Sequence, residues 1–189
     1  WANTWWDHKP EPDWIKNMNG FQRIIMRHQY GEILFTYDDF ATRVREAGES
    51  VGINVVFPFG WWENGMDNGY PVYSAESGQG GDEGWKKAVS EYKKNGGKVL
   101  LYYNGQLIDT ESDYYKKGNG KKVSCKSNTG TEINNAYIFS GSGTFTGNYD
   151  VRTFVVADAK DPGWQKILLR MADQAIKFGV NSVFYDQMG

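Results

Sequence analysis

The sequence predicts an α/β fold in which about four βα units form part of a (β/α)8 barrel of the TIM type. Four apolar runs alternate with stretches of helical periodicity, a pattern typical of parallel strands joined by right-handed crossovers. The chain has 189 residues, whereas a complete barrel of eight strands needs roughly 250. A small doubly wound sheet is the alternative, but the sequence has no glycine-rich loop of the GxGxxG or Walker type to support it.

The first half of the chain contains two predicted strands and two predicted helices. Residues 1–20 are rich in tryptophan and contain Pro10 and Pro12, so we expect an irregular segment there. Strands are predicted over 22–27 and 53–57. Asp38 or Asp39 can cap the helix between them, and its apolar residues recur at helical spacing at Phe40, Val44 and Ala47. The next helix is predicted to begin at an Asp82 cap and to bury Trp85, Ala88, Val89 and Tyr92.

The second half of the chain contains the third strand, an insertion, a helix and the fourth strand. The third strand is predicted over 98–104. Residues 105–157 are rich in Gly, Ser, Asn and Thr with short β-like stretches around Val123 and over 152–156, which predicts an insertion after the third strand. Asp161 and Pro162 form a helix start, and the apolar stripe that follows runs from Trp164 to Ile176. The fourth strand is predicted over 181–189.

Composition excludes several classes of protein. The net charge is −2, so a general nucleic-acid surface is not expected, and no apolar run approaches the roughly 18 residues of a membrane span. Cys125 is the single cysteine and there are two histidines, which disfavours a Cys- or His-based metal site; we predict no metal and no cofactor. The 8 Trp, 12 Tyr and 10 Phe residues indicate either bulky packing or aromatic faces for sugar rings.

Polar and aromatic residues follow every predicted strand, where the chemistry of a barrel lies. Asp186 at the end of the fourth strand is the sharpest candidate, because a carboxylate on a rigid strand end can act as a nucleophile; its alternative roles are to cap the next helix or to anchor a neighbouring loop by a hydrogen bond. The candidate substrate-binding residues are His28, Trp61, Trp62, Asp67, Tyr102, Asn104 and Gln187. Trp61 and Trp62 can form a stacking wall or plug the barrel mouth, Asp67 can bind hydroxyl groups or form a turn, and His28 can be a structural histidine.

The chain ends directly after a strand-like run, which predicts that residues 1–189 are a single half-barrel piece of a longer polypeptide. A half-barrel leaves strand edges unpaired, so self-association through those edges is expected. The lone cysteine is compatible with the cytosol and equally with a large exported protein.

Five segments, taken in order, resemble a family of large, largely uncharacterised bacterial proteins that are similar to glycoside hydrolases. The segments are Gly60-Trp61-Trp62-Glu63-Asn64-Gly65-Met66-Asp67, Tyr70-Pro71-Val72-Tyr73, Gly80-Gly81-Asp82-Glu83-Gly84, Leu101-Tyr102-Tyr103-Asn104 and Val183-Phe184-Tyr185-Asp186-Gln187-Met188-Gly189. The barrel of that family is similar to those of α-galactosidases and endo-α-N-acetylgalactosaminidases.

The resemblance implies a retaining glycosidase with Asp186 as the nucleophile and a general acid/base on a later strand, outside this chain. An oligosaccharide or glycan is then the expected partner, and the parent protein is expected to be secreted, periplasmic or at the cell surface. The chain alone is expected to be inactive, because retention needs two carboxyl groups. A non-catalytic carbohydrate-binding protein on a degenerate barrel is the alternative.

Overall fold

A four-stranded parallel sheet forms the centre of the protein. The computed structural model describes residues 9–139 and 150–188. The strands are β1 (Gln22–Ile25), β2 (Val55–Phe59), β3 (Lys98–Asn104) and β7 (Ser182–Asp186). They lie in the order β1-β2-β3-β7, and every neighbouring pair is parallel. The predicted parallel arrangement is therefore confirmed, although β1 and β7 are shorter than predicted.

The second strand is displaced by two residues from its prediction and includes a proline. It continues through Pro58 to Phe59, whereas we expected it to end at Phe57. The pairing of β2 with β3 involves only Val55 and Val56, so Pro58 lies beyond that ladder and pairs only with Ile24 of β1. A residue without an N–H group is tolerated in a strand at such a position.

Helices connect the parallel strands. They are α2 (Tyr37–Asp39), a π-helical turn (Phe40–Val44) and α3 (Arg45–Ser50) after β1, then α4 (Gly81–Lys93) after β2, and α7 (Pro162–Phe178) before β7. A short helix, α1 (Asp13–Lys16), precedes the sheet, and a 3-10 turn (Ser77–Gln79) precedes α4.

The start of α7 is as predicted, but the starts of the two earlier helices are not. The Oδ1 atom of Asp161 accepts hydrogen bonds from the N–H groups of Gly163 (2.7 Å) and Trp164 (3.2 Å). Thr36, rather than Asp38 or Asp39, caps α2 and forms a capping box with Asp39.

The cap of α4 also differs from its prediction. Gly80 occupies the cap position, with a φ of 92° that favours glycine, and Asp82 lies in the first turn. The Oδ1 atom of Asp82 accepts a hydrogen bond from the N–H of Ala75 at 3.3 Å. Asp82 therefore ties the helix start to the preceding loop.

The π-helical turn shifts the buried face of the helix that follows it. Phe40 and Val44 are buried as predicted, but Ala47 is exposed and Gly48 is buried in its place. A π-helical turn holds one residue more than an α-helical turn, so every later position moves by one. A Cβ atom at Gly48 would lie 2.5 Å from the carbonyl oxygen of Ile53, which explains why a glycine fits there.

Alternate residues of β3 and β7 face opposite sides of the sheet. On one side, the hydroxyl group of Tyr103 donates to Gln174 of α7 at 3.1 Å, and that of Tyr185 donates to the carbonyl of Leu168 at 2.6 Å. This side holds an aromatic core that includes Trp61, Trp85 and Phe178. The other side carries Tyr102 and Phe184, which line a cavity. On α7, Ile176 is exposed rather than buried as predicted.

A second sheet lies between β3 and α7 in sequence. It contains β4 (Leu107–Asp109), β5 (Asn134–Phe139) and β6 (Asp150–Val156), antiparallel in the order β4-β6-β5. The short helices α5 (Asp113–Lys116) and α6 (Asn119–Val123) connect β4 to β5. The β-like stretch predicted around Val123 is confirmed only in part: Val123 itself ends α6 and packs beside Trp164 and Ile108 in a small separate core, whereas Ser124 forms an isolated antiparallel bridge with Ala157.

Candidate functional site

Asp186 lies at the C-terminal end of the parallel sheet, held by its neighbour strand. It is the last residue of β7 and pairs with Asn104, the last residue of β3. The Oδ2 atom of Asp186 accepts a hydrogen bond from the hydroxyl group of Tyr102 at 3.1 Å. The carboxylate therefore sits on rigid backbone and has one oxygen fixed by a phenol.

Two tyrosines connect Asp186 to a second carboxyl group. The hydroxyl oxygens of Tyr102 and Tyr70 are 3.2 Å apart, and the hydroxyl oxygen of Tyr70 is 3.0 Å from Oδ1 of Asp67. The Nδ2 group of Asn104 donates to the hydroxyl oxygen of Tyr102 at 3.3 Å. We call the four groups Asp67, Tyr70, Tyr102 and Asp186 the carboxyl–phenol chain.

Asp67 is the more constrained of the two acids. It lies in the loop after β2 with a φ of 56°, a left-handed conformation that aspartate tolerates better than most residues. Burial raises the pKa of Asp67, and the nearby charge of Asp186 adds to that rise. The hydrogen bond from Tyr70 and the charges of Arg23 and His28 act in the opposite direction.

The two phenols of the chain remain protonated at any physiological pH. Burial raises the pKa of Tyr102 and of Tyr70 well above the ordinary value near 10. Both side chains are therefore neutral groups that can each donate one hydrogen bond and accept others.

A cavity of about 370 Å³ opens beside Asp186 on the face of the sheet opposite the helices. Its lining combines aromatic rings with one acid and one guanidinium group: Phe21, Arg23, Phe57, Phe59, Leu100, Tyr102, Phe184 and Asp186. Phe184 is 42% exposed, so a large part of its ring faces the opening. Arg23 lies over the ring of Phe59 at 5.2 Å. Flat apolar rings beside a few polar groups suit a ligand that has both apolar faces and hydroxyl edges.

Trp61 and Trp62 are buried, with 1% and 0% of their surface exposed, so neither presents a ring face to a ligand. Of the two roles predicted for them, burial favours packing. The indole N–H of Trp61 donates to the carbonyl of Tyr102 at 3.1 Å, and the ring of Trp62 stacks on the ring of Tyr102 at 5.8 Å. Both residues therefore restrain Tyr102, Trp61 through its backbone carbonyl and Trp62 through its ring.

Asn104 is also buried, and both polar atoms of its side chain form hydrogen bonds within the protein. Its Oδ1 atom accepts from the N–H groups of Gln106 (3.0 Å) and Leu107 (2.7 Å), and its Nδ2 group donates to Tyr102. These hydrogen bonds give Asn104 a positioning role, and its contact with a substrate stays a prediction. It fixes the turn after β3 and the hydroxyl group of Tyr102 together.

His28 and Gln187 do not line the cavity. The Nδ1 atom of His28 is 3.4 Å from the carboxylate of Glu32, and its ring lies 5.1 Å from that of Tyr30. Gln187 follows Asp186 directly and has a φ of 62°. The charge of His28 reaches Asp67, so this residue contributes to the electrostatics of the site.

The structure brings Asp67, Asn104 and Asp186, which follow or end predicted strands, together with Tyr102, and it adds residues that sequence reasoning missed. The most important additions are Tyr70, Arg23 and Phe184. Arg23 and Phe184 each share a face with residues at the strand ends, so counting in twos back along β1 and β7 could have found them. Tyr70 lies in an irregular loop, where periodicity carries no signal.

No metal centre is formed by the residues that the structure describes: they contain no group of three or more His, Cys, Asp or Glu side chains arranged to hold an ion. In the same residues, none of the helices is both long enough and apolar enough to cross a membrane.

Comparison with known proteins places these observations in context. A family model described as "Domain of unknown function (DUF6259)" matches residues 1–189, the whole chain. A protein of Bacteroides thetaiotaomicron named "Putative glycoside hydrolase" is 26% identical over 191 residues, which cover 100% of this chain and 25% of that protein.

Solved structures of sugar hydrolases share the fold at low sequence identity. The α-N-acetylgalactosaminidase NagBb of Bifidobacterium bifidum, in its GalNAc complex, is 15% identical with a TM-score of 0.65, over 87% of this chain and 26% of that chain. The α-galactosidase TtGalA of Thermus thermophilus, in complex with p-nitrophenyl α-D-galactopyranoside, is 12% identical with a TM-score of 0.58, over 79% and 27%. This chain thus spans about a quarter of the length of these relatives.

Proposed function

The chain belongs to the family described as a domain of unknown function (DUF6259), and we propose that it forms part of the barrel of a carbohydrate-active glycoside hydrolase. The observation that carries the proposal is Asp186, which lies on a strand end and lines an aromatic cavity. The similarity to a protein named as a glycoside hydrolase and the fold shared with two α-glycosidases support the same class.

The proposed architecture is a half of a (β/α)8 barrel. Four parallel strands follow one another in sequence order across the sheet with helices between them, which is the arrangement of consecutive barrel units. In this arrangement the cavity face of the sheet is the barrel interior, and residues 105–157 are an insertion after the third strand. The whole of 1–189 is then one structural unit.

The proposed substrate is an oligosaccharide or glycan with an α-linked galactose or N-acetylgalactosamine unit. The exposed ring of Phe184 and the rings of Phe57 and Phe59 provide apolar faces, and the carboxylate of Asp186 provides acceptors for sugar hydroxyl groups. The choice of sugar comes from the names of the two enzymes that share the fold.

The proposed mechanism is retaining. A carboxylate oxygen of Asp186 attacks the anomeric carbon and forms a covalent glycosyl ester while the bond to the leaving oxygen breaks. A general acid about 5–5.5 Å away protonates the leaving oxygen and then activates the water that cleaves the ester. We place this acid/base outside the chain, on a later strand. Tyr102 holds Oδ2 of Asp186, which orients the other oxygen for attack.

The first test compares Asp186→Asn with the wild type in the full-length protein that carries this chain. On p-nitrophenyl α-D-galactopyranoside and on mucin-type glycans, the variant is expected to lose about a thousand-fold or more in kcat. Asp173→Asn, which removes an exposed acid on α7, is the matched control and keeps full activity. Undiminished turnover by Asp186→Asn would remove Asp186 from the mechanism.

The second test separates the enzyme from a binding protein. If the full-length wild type binds these sugars in a calorimetric titration but hydrolyses none of them, a non-catalytic carbohydrate-binding barrel is the better description. The 189-residue chain alone is expected to show no hydrolysis, because the acid/base is absent from it; robust activity of the purified chain would refute the half-barrel mechanism.

Two further proposals concern the self-association of the protein and its location in the cell. The outer strands of the parallel sheet are β1 and β7, and we expect their free edges to pair with another segment or with a second copy. Sedimentation of a clean monomer across a wide range of concentrations would contradict self-association. Export of the parent protein to the periplasm, cell surface or medium stays a prediction.

A further inference from the structure

A second cavity, of about 480 Å³, lies between the loops that follow β1 and β2 and the second sheet. We call it the loop cavity; its lining includes Gln29 of the first loop, Asn68 of the second loop, Asp109 of β4 and Arg152 of β6. Among the described residues it shares no lining residue with the cavity beside Asp186. Its volume lies within the range of about 300–1,000 Å³ that is typical of small-molecule sites. The loop cavity is therefore large enough for a ligand of its own.

Asp109 holds two walls of the loop cavity together. Its side chain is buried, and its Oδ2 atom accepts a hydrogen bond from the N–H of Gly69 at 2.7 Å. The N–H of Asp109 donates to the carbonyl of Tyr70 at 3.0 Å, and its Oδ1 atom accepts from the N–H of Glu111 at 2.8 Å. These bonds tie the end of β4 to the loop after β2, so the walls of the cavity are fixed by the fold.

The amide group of Asn68 has a defined orientation. Its Nδ2 atom lies 3.0 Å from the carbonyl oxygen of Gln29 and 3.2 Å from those of Asn64 and Met66. Exchanging the nitrogen and the oxygen of the amide would place an oxygen against three carbonyl oxygens, which accept hydrogen bonds but donate none. The nitrogen therefore faces the carbonyls, and Oδ1 is the atom left for another partner.

Two residues of the lining each have a buried side-chain oxygen that accepts no hydrogen bond from the described part of the chain. The atoms are Oδ1 of Asn68, a residue that is only 7% exposed, and Oε1 of Gln29. Buried polar atoms in folded proteins nearly always have a hydrogen-bond partner. The carboxylate of Asp109 has further capacity, because it accepts two N–H groups and offers about four acceptor positions. The lining thus offers acceptors to a ligand that carries donors.

The charges of the lining are nearly balanced, which favours an uncharged ligand. The two exposed acids of the lining, Glu111 and Asp113, are each paired with a lysine, at 2.8 and 2.9 Å. Asp109 and Arg152 then contribute one charge of each sign. The guanidinium group of Arg152 disfavours a metal ion, and the described residues contain no group of three His, Cys, Asp or Glu side chains arranged to hold one.

A sugar unit has the chemistry that this lining can recognise. Its hydroxyl groups can donate to the side-chain oxygens of Asn68 and Gln29, and they can accept from the guanidinium group of Arg152. Tyr30, which lines the same cavity, supplies an aromatic ring of the kind against which the flat face of a sugar packs. An uncharged ring with several hydroxyl groups therefore fits both the polar and the aromatic part of the lining.

We propose that the loop cavity is a second carbohydrate-binding site, which takes an uncharged sugar unit through hydroxyl groups that donate to Asn68 and Gln29. The inference goes beyond the proposed function, because it requires neither hydrolysis nor Asp186. The segment 67–70 belongs to both regions: two of its residues line the loop cavity, and the other two are part of the carboxyl–phenol chain. The two sites meet at this segment but have separate linings, so binding can be measured at each.

The test is hydrogen–deuterium exchange, read by mass spectrometry, on the full-length protein that carries this chain. The probes are neutral disaccharides of glucose, galactose, mannose, xylose and N-acetylgalactosamine, and calcium chloride alone. At least one disaccharide is expected to slow exchange in the peptide that covers 109–113, four residues of which line the loop cavity. If no disaccharide does so, the proposal is overturned, and slower exchange with calcium ions alone would reassign the cavity to a cation. Exchange in the peptide that covers 182–188 reports the cavity beside Asp186, so a failure of the proposed function is seen separately.

Gln29→Met removes an acceptor, keeps the length of the side chain and breaks no hydrogen bond of the Oε1 atom within the described residues. The affinity of the disaccharide, taken from the concentration dependence of exchange in 109–113, should fall about two- to tenfold, as expected for the loss of one hydrogen bond. Gln165→Met, at an exposed glutamine of α7 outside both linings, is the matched control and should leave the affinity unchanged. Equal affinity of Gln29→Met and the wild type would overturn the proposal.

Val72→Trp provides a second variant that acts by filling the loop cavity. Val72 lines this cavity and is 40% exposed, so a larger side chain at this position need not enter the core. The variant should abolish the slower exchange in 109–113 that the disaccharide causes. If the disaccharide still slows exchange there as in the wild type, its binding site lies elsewhere and the proposal is wrong.

Discussion

Replacing Asn104 with alanine should destabilise the protein more than the loss of one ordinary hydrogen bond. Its Oδ1 atom is the acceptor for the N–H groups of both Gln106 and Leu107, in the turn between the two sheets. Leu107 is fully buried, so its N–H cannot turn to water when the acceptor is removed.

The magnitude follows from the three contacts that are lost. An unsatisfied buried donor costs about 1–3 kcal/mol, and an ordinary hydrogen bond contributes about 0.5–1.5 kcal/mol. The larger free-energy cost applies to the N–H of Leu107. The smaller one applies to each of the other two lost bonds, from the half-buried Gln106 and to Tyr102. We therefore expect Asn104→Ala to lower the free energy of unfolding by about 2–6 kcal/mol.

Urea denaturation measures this loss, with Asn181→Ala as the control. The side chain of Asn181 caps the other end of β3 by accepting a single hydrogen bond from the N–H of Val99 at 3.1 Å, so its loss should cost about 1 kcal/mol. The urea concentrations at the midpoints of unfolding are compared for the two variants, provided that their denaturation curves have the same slope (m value). If Asn104→Ala is no less stable than Asn181→Ala, the assignment of Asn104 as the organiser of this turn is wrong.

Three other predictions concern the helices and Asp67. Asp161→Ala removes the cap of α7 and should cost about 1 kcal/mol in urea denaturation; an unchanged midpoint would contradict the cap. Gly48→Ala places a methyl group against the carbonyl of Ile53 and should cost about 1–3 kcal/mol, whereas Gly78→Ala, where a methyl group meets only the end of Glu76 at 3.6 Å, should be tolerated. Because the pKa of Asp67 is raised in the folded state, the wild type should lose stability relative to Asp67→Asn as the pH rises from about 3.9 through the folded pKa. A stability difference that is constant with pH would contradict that shift.

The elements that the sequence predicts best are those whose boundaries are marked by glycines or by a helix-capping residue. Strand β3 and helix α7 are correct to within a few residues, because Gly96 and Gly97 precede the first and Asp161 and Gly179 bound the second. The parallel order of the strands followed from the alternation of strand and helix. The π-helical turn could not be predicted, since an inserted residue leaves the apolar spacing of Phe40 and Val44 unchanged.

The candidate site was predicted only in outline. Strand ends brought Asp67, Asn104 and Asp186 to one edge of the sheet, but residue type could not say which of them face the cavity. Trp61 and Trp62 follow β2 in a segment where no alternation of polar and apolar residues predicts which way a side chain points. In the structure both side chains are buried in the core. The position of Tyr70 depends on a loop that two hydrogen bonds to Asp109 hold in place. The N–H of Gly69 donates to the Asp109 side chain, and the N–H of Asp109 donates to the carbonyl of Tyr70.

The stack of Trp62 on Tyr102 gives the molecule a built-in optical reporter. The indole ring lies nearly parallel to the phenol ring, at an angle of 12°, and the phenol in turn contacts the carboxylate at the cavity wall. A ligand that displaces this phenol even slightly changes the asymmetric environment of the indole, and thus its near-ultraviolet circular dichroism. Occupancy of the cavity can be followed in this way without attaching a dye.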